Sequence, residues 1–191
     1  MDDNNENSTR MDLYEWLQCG VLAIVCGIFI FVFVGRTIGV DGISMMNTLH
    51  DRDRVIMTSL FYSPSNGDII VFHSPAEHFH GTPLVKRVIA IEGQSIDINF
   101  ETGAVYVDGI VIDEPHIDEL TSRRNGFEGP TVVPDGHVFV MGDNRQFSTD
   151  SRSRDVGMVD MRYILGRVLL VAVPGSDQFA SRDWGRIGFV R

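Results

Sequence analysis

The sequence predicts an all-β body, with barrel- or sandwich-like sheets, carried on one N-terminal transmembrane helix. Two patterns point there. Leu17–Val34 reads LQCGVLAIVCGIFIFVFV, a run with no charged residue. After Gly35 the apolar residues instead fall into short runs broken by turn signals every 8–15 residues, the rhythm of many short strands. A third observation limits the second: both cysteines, Cys19 and Cys26, lie in the first run, so no disulfide braces residues 35–191.

The elements come in order along the chain. Residues 1–15 form a polar tail with Asp2, Asp3, Glu6, Asp12 and Glu15 against Arg10. Residues 16–35 are the expected anchor. Its 18 uncharged residues, at about 1.5 Å each, span about 27 Å of a hydrocarbon core near 30 Å. Trp16 suits one headgroup region and Arg36 closes the other end. A cleaved leader would open with basic residues and end at a small-residue site; this tail is acidic and no A-x-A follows the run. Arg10 and Arg36 balance, so charge alone does not orient the helix.

Residues 36–191 are expected to form one β-rich domain. Its predicted strands are Arg54–Thr58, Asp68–His73, Leu84–Ile91, Ser95–Asn99, Ala104–Val107, His137–Met141 and Arg167–Val173. Pro-Ser-Asn-Gly, Glu-Gly, Glu-Thr-Gly, Asp-Gly and Pro-Asp-Gly stand between them as turns. Pro115–Pro130 reads as a long exposed loop. With 26 acidic against 16 basic residues the formal charge is −10, which excludes a nucleic-acid binder that must neutralise phosphates.

Three stretches carry the chemistry. In VDGISMMNTLHDRDRV, Ser44 precedes two methionines; a nucleophilic serine needs a base within hydrogen-bond reach. The six histidines offer candidates, but none stands in a catalytic context. In TPLVKRVIAIEGQS, strand alternation sets Lys86 between Leu84 and Val88. A lysine buried there loses affinity for its proton and can act as a base; one whose stem packs while its amine reaches water does not. Lys86 is the only lysine among the 16 basic residues. The third stretch, PDGHVFVMGDNRQFSTDSR, is a strand running into a polar loop of complementary charges, which by itself reads as a self-braced turn.

Taken together these stretches resemble the type I signal peptidases, membrane-bound serine proteases that remove signal peptides from exported proteins, in their short single-anchor bacterial form. Gly42–Val55 looks like the nucleophile box, Gly67–Phe72 like the strand box and Val85–Gly93 like the lysine box. Gly142–Arg152 looks like the last and most specific box, and Val105–Pro115 and Pro134–Met141 fit between. The likeness covers residues 16–173, and the last dozen residues carry no motif.

The resemblance implies Ser44 as nucleophile and Lys86 as general base, with no cofactor and no metal. It implies Ser148 as the hydroxyl that orients the lysine, and Asp150 with Arg152 as the pair holding the last box in place. Asp143 and Arg145 are implied as further bracing. The partners implied are the signal peptides of exported preproteins, cut after small residues, and the lipid bilayer. The location implied is the cell membrane, single-pass, with the N-terminus cytoplasmic and the β-domain outside. Gly42 stands where some relatives carry a second hydroxyl, and Asn47 stands where the pattern has proline. Proline fixes φ, so Asn47 either loosens the loop or restores it through a side-chain turn bond. Asn47 therefore keeps a second reading open, a weak or silent homologue that only binds precursors. Two further readings stand beside it. A self-cleaving repressor-type Ser-Lys protease conflicts with the anchor, and a metal held by His73, His78, His80 and Glu77 conflicts with lysine chemistry.

Overall fold

The computed structural model describes residues 3–33, 35–176 and 182–190. The chain divides into two units, the first ending at Arg36 and the second beginning at Thr37. The first holds helix α1 (Asp3–Phe33), in which every side chain from Tyr14 to Phe29 is exposed. The expected span Leu17–Val34 ends on a residue outside the described set. Among the described residues no helix is long and apolar enough to cross a membrane.

The second unit is built on two sheets, antiparallel at every pairing from β2 onward. The larger runs, in spatial order, β1 (Arg36–Gly39), β2 (Arg54–Thr58), β11 (Ile164–Val173), β3 (Ile69–His73), β4 (Pro83–Ile91), β9 (His137–Met141) and β10 (Val159–Asp160), with β12 (Gly188–Phe189) also on β11. The smaller orders β7 (Ile110–Val111), β6 (Ala104–Val107), β5 (Ser95–Asn99) and β8 (Thr131–Val132). Four of the expected strands have the predicted bounds, and three shift by up to three residues at their starts. Of the five strands not foreseen, β1 has four residues and the other four have two each, too short for alternation to show.

β3 explains why the sheet is central. Its sequence, IIVFH, does not alternate because both of its faces are covered. Ile69 and Val71 pack with Val40, Met45, Leu49 and Val55, whereas Ile70 and Phe72 pack with Val88, Val138 and Val140. The smaller sheet closes on Ile89, Ala90, Phe139 and Met141 through Ile96, Ile98, Val105 and Val107. The loop Pro115–Pro130 has no regular structure, as expected, but it is not wholly exposed: Thr121 and Phe127 are buried. Phe127 meets Phe139 edge to face at 5.5 Å, which pins the loop to the core.

Candidate active site

Ser44 lies in the turn after β1, just before two buried apolar residues of one core cluster. Met45 and Leu49 are sunk in the core, and the Leu49 N–H donates to the Met45 carbonyl at 2.8 Å. One helical turn with two anchors leaves Ser44 half-buried and facing β4. Lys86 is presented by β4 opposite Ile70 of β3, with Leu84 and Val88 on either side along the strand. It is only 3% exposed. Its Nζ donates to Ser44 Oγ at 2.8 Å and to the Val85 carbonyl at 2.9 Å. Burial pulls the Lys86 pKa down to about 8, against the opposing pull of Asp150 and Asp143. A neutral amine at this position can accept the serine proton through the same contact.

Two buried carboxylates stand near that amine, and each is claimed by a guanidinium. Arg152 grips Asp150 with Nε and Nη2, both at 2.9 Å, and reaches the Arg145 and Arg123 carbonyls at 2.8 and 3.1 Å. Burial alone would raise the Asp150 carboxyl; Arg152 and the Gly142 N–H hold it below its usual range. Asp143 is gripped by Arg87, with Nε at 2.8 Å and Nη2 at 2.7 Å, and accepts from Thr48 Oγ1 at 2.5 Å. Bidentate geometry of this kind fixes orientation as well as charge.

Asp143 and Arg145 do not pair with each other through their side chains. Arg145 forms a two-pronged ion pair with Glu114 and donates to Thr121 Oγ1 at 2.8 Å, which ties the last box to the long loop. Arg87, Thr48, Glu114 and Thr121 are site residues that sequence reasoning missed. Arg87 had a signal, since it adjoins Lys86 in the lysine box. Glu114 and Thr121 had none, because polar loop residues look alike until their partners are known.

Ser148 departs from expectation. Both hydrogen bonds of Lys86 go to Ser44 and Val85, and the buried Ser148 Oγ makes none. Its neighbour across the box is Gly142. A β-carbon on Gly142 would overlap both Ser148 Oγ and the Ser44 carbonyl, so glycine permits the close approach that brings the last box against the turn carrying Ser44. The Asn144 N–H then donates to the Ser44 carbonyl at 3.1 Å, and Asn144 Nδ2 to the Ile43 carbonyl at 3.1 Å. Asn47 is exposed, and its side chain makes no hydrogen bond among the described residues. The turn is instead held by Met45, Leu49 and Thr48. Of the histidines, His116 reaches this network, with Nε2 3.6 Å from Asp143; burial pushes its imidazole below the usual range.

Open clefts flank the turn. One, of ≈ 460 Å³, is bordered by Ile43, Arg123, Phe147, Ser148 and Thr149. The other, of ≈ 200 Å³, is bordered by Met46, Asn47, Asp118, Glu119 and Asn144. Among the described residues no group of three or more His, Cys, Asp or Glu side chains is placed to hold a metal ion.

Known proteins share this sequence pattern along most of its length. Residues 13–173 match the family model described as signal peptidase, peptidase S26. Signal peptidase I of Bacillus licheniformis is 30% identical over 184 residues, covering 91% of this chain and 96% of that protein. Signal peptidase I S of Bacillus subtilis (strain 168) is 33% identical over 178 residues, covering 87% and 92%. A probable signal peptidase I-1 of Synechocystis sp. is 37% identical over 177 residues, covering 88% and 83%.

Proposed function

The chain belongs to the signal peptidase family, peptidase S26, and on that premise we propose that it is a serine endopeptidase that removes signal peptides from exported preproteins, with Ser44 as nucleophile and Lys86 as general base. The observation that carries the proposal is the 2.8 Å contact between Lys86 Nζ and Ser44 Oγ, made by a lysine with almost no access to water. Neutral Lys86 takes the proton from Ser44 as its Oγ attacks the carbonyl at the cleavage site. It returns that proton to the leaving amine, then activates the water that releases the acyl-enzyme. The Ser44 N–H serves as oxyanion donor. Asp150, Arg152, Asp143 and Arg145 hold the surrounding loops, and Ser148 packs the last box against Ser44.

The domain plan proposed with this chemistry is a cytoplasmic tail at 1–15, an anchor at 16–35 and an extracytoplasmic catalytic domain at 36–191. An uncharged run that is apolar on every side of a helix is suited to lipid, and its exposed side chains in α1 support that role.

The test is cleavage of an exported preprotein by the detergent-solubilised protein beside its Ser44→Ala and Lys86→Met forms. Cutting after a small residue by the parent alone is the expected result. Its kcat/KM should rise about tenfold per pH unit below pH 8 and level off above it, as the base loses its proton. No cutting by a folded parent, with a control signal peptidase active on the same substrate, would favour the silent homologue. Equal rates at pH 6 and pH 9 would remove Lys86 as the base.

A further inference from the structure

The C-terminal stretch lies beyond the residues that match the family, yet it reaches back into the turn that carries Ser44. Asp53, which ends that turn, is fully buried. It accepts from the His50 N–H at 2.8 Å and from the Gly175 N–H at 2.7 Å. The cation that answers its charge is Arg186, with Nη1 at 3.0 Å and Nη2 at 2.7 Å; Nη2 also lies 3.5 Å from the Thr48 carbonyl. Thr48 is itself tied to Asp143 through its hydroxyl. One guanidinium thus bridges the two ends of the segment Thr48–Asp53, four residues from the nucleophile.

The tail is built to aim that side chain. Asp183 caps a single 3-10 turn at Trp184–Arg186 by accepting from the Gly185 N–H. β12 then pairs with Leu170 and Val171 of β11, and Val190 packs against the core cluster to which Met45 and Leu49 belong. Gly175 adds a second point of approach, since a β-carbon there would overlap the Asp51 carbonyl. A buried carboxylate left without its cation carries a heavy cost, so the turn and the tail are ordered together.

We propose that Arg186 is a positioning residue for the reaction: by closing on buried Asp53 and Thr48 it fixes the turn that presents Ser44 to Lys86. The proposal rests on the Ser-Lys reading above for its effect on catalysis, though not for the clamp itself. Arg186 touches neither Ser44 nor Lys86, and acts through the backbone of residues 48–53.

The experiment compares the full-length parent with Arg186→Gln and Arg186→Lys, by amide hydrogen exchange and by preprotein cleavage well below each melting temperature. In Arg186→Gln the Leu49 and Arg52 amides, which donate to the Met45 and Val40 carbonyls, should exchange about tenfold faster or more. Amides of β5 and β6 should be unchanged. Cleavage should lose about 10–100-fold in kcat with KM within about twofold, and Arg186→Lys should recover most of both. Unchanged protection at Leu49 and Arg52 overturns the clamp. Unchanged kcat with a lowered melting temperature overturns the positioning role and leaves Arg186 merely structural. Should Arg186→Gln fail to fold, Asp53→Asn/Arg186→Gln removes the stranded charge and is read in the same way. A parent that cuts no preprotein sinks the signal-peptidase reading, while the exchange arm still decides the clamp.

Discussion

Lys86 is held where a charge is costly, and that cost is measurable apart from catalysis. Its pKa falls from 10.5 to about 8 on folding, so between those values the unfolded chain binds the proton more tightly than the folded one. The penalty is complete below pH 8 and vanishes as the pH rises toward 10.5. At about 1.4 kcal/mol per unit it is roughly 3 kcal/mol, against about 1 kcal/mol for each of the two hydrogen bonds made by the amine. Lys86→Met should therefore abolish cleavage and yet stabilise the protein at pH 6–7 by roughly 1–2 kcal/mol. That advantage should shrink in thermal melts repeated up to pH 10. A lower midpoint for Lys86→Met at pH 6 would mean that the amine is not desolvated. Gly142 is the second decisive residue. Gly142→Ala forces a β-carbon into Ser148 Oγ and the Ser44 carbonyl, and a misplacement of about 1 Å at the nucleophile costs about 100-fold in kcat. Wild-type kcat in Gly142→Ala would show that the last box can shift freely. The proposed dyad could be read from sequence because its boxes are distinctive. The spacing alone left Lys86 open between base and snorkelling surface lysine, since alternation says which face a residue takes and not how deeply that face is covered.

At the scale of elements, the site depends on two guanidinium–carboxylate grips that keep negative charge away from the lysine. The Arg87–Asp143 pair joins β4 to the last box, with both partners buried. Removing one partner of such a pair costs about 3–5 kcal/mol, so Arg87→Met should lower stability by that order in denaturant unfolding. The freed Asp143 charge would also strengthen its pull on the lysine proton. The rise of kcat/KM with pH should then move above pH 8, whereas Asp143→Asn in the Arg87→Met background should bring it back. A profile fixed at the parent's pH in Arg87→Met would show that Asp143 does not act on the base. Element assignment was legible where runs were at least four residues long and flanked by glycine turns, as in SIDIN and AVYV. It failed for IV, TV and VD, where two residues carry no period. The loop Pro115–Pro130 shows the other limit. Its composition is that of a solvated loop, but Thr121, with Glu114 just upstream, is drawn inward by Arg145, and a long-range ion pair leaves no local trace.

Across the whole molecule, the catalytic chemistry and the proposed anchor are encoded by different parts of the same physics. One uses burial to weaken a cation, and the other avoids cations altogether for 18 residues. Ser44 follows Val34 by ten residues, so an extended connection reaches about 33–36 Å at most. A bilayer-borne signal peptide presents its cleavage site within that range if Leu17–Val34 is in lipid. The chain supplies its own reporter for this, because its only cysteines, Cys19 and Cys26, both lie in that run. In intact lipid vesicles holding the full-length protein, a charged, water-soluble maleimide should label neither thiol, since thiolate formation and reagent entry both fail in hydrocarbon. After the vesicles are dissolved and the chain is unfolded in denaturant, both should label. Protease added outside vesicles of known orientation should then separate the acidic tail from the β-domain, placing residues 1–15 on one side and Ser44 on the other. Labelling of both cysteines in intact vesicles at the rate seen after unfolding would withdraw the anchor and leave α1 in water, with the catalytic proposal untouched.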